Sequence, residues 1–120
     1  MTKPLVGSFQ LMKSLNRSLV LSTIRNDGPI SRADIAKKTK LTPPTVTNIV
    51  SELIEQRFVV ESEVGVSSGG RKPILLRLNS EAFWIVGVDV GVSTIKTVLT
   101  DLDANVIRQS RRSMPPRPDA

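Results

Sequence analysis

Apolar positions along the chain follow a helical period first and a strand period later. From about Ser8 to Asn26, Met12, Leu15, Leu19 and Thr23 recur every three or four positions, flanked by Leu11, Val20 and Ile24. This predicts an amphipathic helix with Lys13, Arg17 and Arg25 in its polar parts and the Met12 stripe toward the core. Asp27-Gly28-Pro29 ends it. Ser31 reads as the N-cap of a second, short helix, and Asp34 completes a capping-box pattern before Ile35 and Ala36. That helix ends near Lys40. Thr42 is the next N-cap, with Pro43 at the first helical position and Pro44 still inside the first turn. Val46, Ile49, Val50, Leu53 and Ile54 then form a clear stripe to about Gln56. Phe58 to Glu61 and Ile74 to Leu78 are strand-like runs around a segment rich in glycine and serine, which predicts a hairpin with a long tip. Three helices followed by a two-stranded wing is the order of a winged helix-turn-helix.

Beyond Phe83 the period changes. Trp84 to Val90, Ile95 to Thr100 and Val106 to Arg111 predict three strands, turning at Gly91-Val92-Ser93 and at Asp101 to Asn105. Pro115-Pro116-Arg117-Pro118 fits no regular element. The predicted class is therefore α+β: a winged helix-turn-helix over residues 8–80, then a three-stranded antiparallel meander within residues 81–120.

Composition narrows the chemistry. Histidine and cysteine are both absent from the 120 residues. Disulfides, thiolate or imidazole metal sites and Ser-His-Asp or Cys-His triads are thereby excluded, and the missing cysteines fit a cytoplasmic protein. Only 3% of residues are aromatic against 39% apolar, so the core is expected to be aliphatic. No run of about 18 apolar residues suggests a membrane span, and Lys13, Asn16 and Arg17 interrupt any apolar leader. The net charge of +6 points to a polyanionic partner. Its distribution says more: residues 1–80 hold twelve basic and six acidic side chains, whereas residues 81–120 hold five of each. The whole excess lies in the predicted winged helix.

A helix-turn-helix needs a small residue where its helices cross, apolar residues inside the second helix, and short polar residues outside it to enter a major groove about 12 Å wide. Ala36 stands at the crossing, with Val46 and Ile49 at the spacing that packing demands, while Lys40 occupies the turn position that often carries glycine. The outward positions are Pro44, Thr45, Thr47, Asn48 and Ser51. The threonines suit phosphates or thymine methyls, and Asn48 suits bidentate bonding to adenine. The first two turns of this helix lack Arg and Lys, so phosphate contacts are expected from Arg17, Arg32, Lys37, Lys38, Lys40 and the wing, with Thr42 at the helix start. In the wing, Gly69-Gly70-Arg71-Lys72-Pro73 sets Arg71 and Lys72 on an extended segment suited to a narrow minor groove or to phosphates.

Several of these features share one pattern. Asn16-Arg17, Gly28-Pro29-Ile30-Ser31-Arg32, Leu41-Thr42-Pro43-Pro44-Thr45-Val46-Thr47, Gly69-Gly70-Arg71-Lys72-Pro73 and Gly87-Val88-Asp89-Val90-Gly91 occur in order. From about Leu11 to Ile107 the sequence resembles the transcriptional regulators of the ROK family (repressors, open reading frames, kinases), including the xylose-type repressors. The resemblance implies a winged helix binding double-stranded operator DNA, followed by the start of a sugar-kinase-like domain of the actin/ribonuclease-H type. It also implies repression of a carbohydrate-use operon. A sugar effector would act only through a full-length effector domain, and two-fold operators call for a homodimer. Asp89 to Lys96 is similar to the first phosphate loop of the family's kinases, but Val92-Ser93 replace Gly-Thr after Gly91. No catalysis, cofactor, metal or membrane partner is expected. Two rival readings remain, a sugar-kinase fragment and a winged helix that binds protein. Three strands without a covering layer are also expected to be less ordered than residues 9–78.

Overall fold

The computed structural model describes residues 5–64 and 72–115. The chain divides into two compact units, residues 1–79 and 80–120.

The first unit opens with α1 (Leu5–Asp27), followed by β1 (Ile30–Ser31), α2 (Arg32–Thr39) and α3 (Pro43–Glu55). The wing strands β2 (Val59–Val64) and β3 (Ile74–Leu78) complete it. Both helix starts follow the predicted capping chemistry. The Ser31 hydroxyl accepts from the Asp34 N–H at 3.2 Å, and the Thr42 hydroxyl accepts from the Thr45 N–H at 3.4 Å. Such caps contribute about 1 kcal/mol each. Lys40 ends α2 in the left-handed region at φ 60°, its N–H bonded to the Ala36 carbonyl. At Gly28 the backbone packs closely, since a Cβ there would stand 2.4 Å from the Ile24 carbonyl oxygen. Only glycine lets the chain turn off α1 at that point.

The core is aliphatic throughout: Val20, Ile24, Ile30, Ile35, Ala36, Val46, Ile49, Val50, Leu53, Val59 and Leu76 are buried. Ala36, Val46 and Ile49 occupy the places assigned to them at the helix crossing. The stripe expected to bury α1 does not. Met12, Leu15 and Leu19 are 58%, 60% and 43% exposed, Thr23 is half-buried, and the helix instead buries Val20 and Ile24. α1 is 23 residues long, and its buried positions among the described side chains lie at Val20 and Ile24.

The sheet of this unit has the order β1-β3-β2, all antiparallel. β1 is an addition to the predicted elements: its two residues, including the α2 N-cap, pair Ile30 with Leu76 and Ser31 with Leu75. Two residues are too few to show a strand period. β2 starts at Val59 rather than Phe58 and runs on to Val64. The Gly65–Gly70 tip and Arg71 lie outside the described residues.

The second unit is a meander of β4 (Ile85–Val90), β5 (Thr94–Thr100) and β6 (Val106–Ser113) in the order β4-β5-β6. It is the predicted meander with ends shifted by a residue or two. Asp101 shapes the β5–β6 turn: its carboxylate accepts from the Asn105 side-chain and backbone N–H groups and from the Asp103 N–H at 2.9–3.0 Å. These bonds, the Asn105 side chain's foremost, hold its pKa below the ordinary carboxylate value. None of the described residues of this unit is buried.

Candidate nucleic-acid interface

The recognition surface is built on α3. Val46, Ile49, Val50 and Leu53 anchor its inner face, which turns Pro44, Thr47, Asn48 and Ser51 outward, all of them exposed. Thr45 is half-buried and its hydroxyl lies 2.8 Å from that of Thr42. Thr42 is thus engaged in capping and in this pair. Ser51 donates to the Thr47 carbonyl at 2.9 Å, leaving its oxygen free to accept. Asn48 stands midway along the exposed face, between Thr45 and Ser51.

Three open grooves, two of them lined by this helix, gather the candidate residues. Thr45, Asn48 and Ser51 line one of about 580 Å3, whose other wall is Phe9, Met12, Lys13 and Asn16 of α1. Arg32, Lys37 and Thr47 line a second, of about 450 Å3, between α2 and α3. Arg32 and Lys72 meet at a third, of about 300 Å3, between the start of α2 and β3. A larger groove of about 740 Å3 lies on the second unit's sheet across Gly87, Val98 and Gln109, remote from all of these residues in sequence.

The cations sort by their partners. Arg32 pairs with Glu61 at 3.6 Å and Lys38 with Asp27 at 3.3 Å. Arg17 reaches Glu52 at 4.0 Å, donates to the Gln56 side chain, and lies 5.8 Å from the Phe58 ring centroid, within cation–π range. These three contacts hold the Arg17 side chain against α3 and the start of the wing. Lys37, Lys40 and Lys72 are exposed and have no ion-pair partner among the described residues. Arg71 lies outside the described residues.

A family model described as winged helix-turn-helix DNA-binding matches residues 14–60, which take in the C-terminal part of α1 and all of α2 and α3. A putative xylose repressor of Caldicellulosiruptor sp. is 42% identical over 85% of this chain and 26% of its own length. The xylose repressor of Bacillus subtilis is 39% identical over 86% of this chain and 27% of its own. The DNA-binding transcriptional dual regulator NagC of Escherichia coli is 34% identical over 93% and 28%. A solved structure described as a ROK family transcriptional regulator, homolog of the E. coli MLC protein, superposes with a TM-score of 0.73 at 28% identity, covering 86% of this chain and 26% of that one. Over most of its length the chain is thus similar to sugar-operon repressors and to a transcriptional regulator of the ROK family. It spans about a quarter of the length of the curated relatives it matches.

Two features of this winged helix have no signal in the sequence. Lys13 Nζ lies 3.2 Å from Glu52 Oε1, which joins α1 to the third turn of α3 across 39 positions of sequence. Asn16 shares a groove with Asn48. Both depend on how α1 crosses α3, and no local spacing encodes that.

Proposed function

We propose that this chain is the operator-binding region of a sugar-responsive transcriptional repressor. The carrying observation is α3 itself, seated on an aliphatic core with Pro44, Thr47, Asn48 and Ser51 turned to solvent beside Lys37 and Lys40. Short polar side chains on a helix of this width suit base edges and thymine methyls in the major groove. Lys37, Lys40 and Lys72 supply phosphate contacts, joined by Arg32 and Lys38 when DNA competes for their exposed ion pairs. Arg71, with Lys72, supports them from the wing. The repressor names of the relatives support a carbohydrate operon as the target. On the same reading the whole protein is cytoplasmic, controlled by a sugar, and a homodimer, as two-fold operators require.

On this reading residues 81–120 begin the sugar-binding domain and do no phosphoryl transfer. Supporting this, the Gly91 N–H, which a phosphate loop would present to its ligand, already donates to the Thr94 carbonyl at 2.8 Å. The deciding experiment is binding-site selection from a random duplex library, followed by salt titration. A defined sequence should emerge, and with about six phosphates neutralised the slope of log K against log salt should be near −5. A flat salt dependence would overturn the reading.

A further inference from the structure

The recognition helix carries no Lys or Arg, yet it carries Glu52 and Glu55. A helix of that charge cannot enter a groove walled by phosphates unless neighbouring elements supply cations. Besides α2, one such element is the N-terminal half of α1. Lys13 stands 3.2 Å from Glu52 and lines the same groove as Thr45, Asn48 and Ser51. A helix with its side chains is about 10–12 Å across and the major groove about 12 Å wide. Once α3 fills the groove, an element packed along its flank lies over a sugar–phosphate strand.

The two cations that meet Glu52 differ in freedom. The Arg17 side chain is 31% exposed, bonded to Gln56 and stacked over Phe58, whereas the Lys13 side chain is 67% exposed and has Glu52 as its one ion-pair partner among the described residues. We propose that the N-terminal half of α1 is a second DNA-contacting element, in which Lys13 exchanges Glu52 for a backbone phosphate. The inference rests on α3 being the helix that enters the groove. Arg17 is the positioning residue: it remains beside Glu52 at 4.0 Å and keeps that carboxylate compensated when Lys13 leaves. A solvent-exposed pair is cheap to break, so the exchange gives up little. Asn16, on the same groove wall, adds an uncharged donor.

The test uses the chain on two duplexes of about 30 base pairs, near three helical turns: one recovered by selection and one of random sequence. Affinity is followed between about 50 and 200 mM salt. Lys13→Ala should weaken binding to both by about threefold to tenfold and reduce the salt slope by about 0.9, with base preference unchanged. Lys13→Arg should keep the slope. Glu52→Gln should strengthen binding in the parent chain and do so less in the Lys13→Ala background. Equal strengthening in both backgrounds would make Glu52 a simple repulsive charge and end the exchange. If Lys13→Ala changes neither affinity nor slope while Asn48→Ala still alters base preference, α1 lies outside the interface and only this proposal falls. If Asn48→Ala also changes nothing, the reading of α3 falls with it.

Discussion

At Lys40 the geometry of the fold and the proposed DNA contact favour different residues. Its φ of 60° is a conformation that costs L-residues roughly 1–2 kcal/mol and costs glycine almost nothing. The turn needs that conformation because the Lys40 N–H closes α2 onto the Ala36 carbonyl. Nothing in the packing asks for a long cation there, since the side chain is exposed and has no ion-pair partner among the described residues. Replacing it with glycine should therefore stabilise the first unit by about 1 kcal/mol, read as a raised melting temperature. On the proposed function the same change should weaken DNA binding and lower the salt slope by about 0.9. A less stable Lys40→Gly protein would show that the lysine serves the fold instead. The position itself was legible from sequence as the turn residue where glycine is usual; its left-handed geometry follows from the short link between α2 and α3.

At the scale of elements, the helices differ in how faithfully their patterns report burial. α3 is short and packed along its whole length, so the stripe of Val46, Ile49, Val50 and Leu53 is the buried face. α2 is fixed by its caps, and Ile35 and Ala36 are buried as the spacing requires. α1 carries two apolar faces, and periodicity cannot say which of them meets the core. Met12, Leu15 and Leu19 gave the more regular spacing, yet Val20 and Ile24 are buried at 0% and 1% exposure. The choice depends on where α2, α3 and β3 meet the helix, which is tertiary information. It yields a sharp contrast in stability. Ile24→Ala should cost about 2–4 kcal/mol by leaving a cavity in the aliphatic core. Leu15→Ala should change stability by no more than about 0.5 kcal/mol. Chemical denaturation of the two variants measures both, and a large cost at Leu15 would mean that α1 buries its other face. The contacts that join Lys13 to Glu52 were hidden for the same reason, because the crossing of two helices sets them.

The whole molecule combines two units built on different principles. In the first, helices and wing enclose one core, and every buried apolar side chain among the described residues belongs to it. The second was legible as a meander because alternation and turn residues are local signals, and its ladders pair β4, β5 and β6 with one register shift, between Leu99 and Thr100. Local signals do not supply a core, however. Ile85, Val86, Val88, Val90, Val106 and Ile107 are each between 48% and 65% exposed. Backbone bonds in a three-stranded sheet contribute little net free energy unless side chains are also withdrawn from water. Opening of this sheet should therefore be a local event of low cost, separate from global unfolding of the winged helix. Native-state hydrogen exchange tests this directly. Amides of Val98 and Leu99, in the middle strand, should exchange orders of magnitude faster than those of Leu53 and Leu76 in the core. Equal protection at these four positions would mean that the meander is held by contacts as strong as the aliphatic core. The uncovered apolar strands would then need a partner surface, such as a second copy of the chain, and protection that rises with protein concentration would identify it.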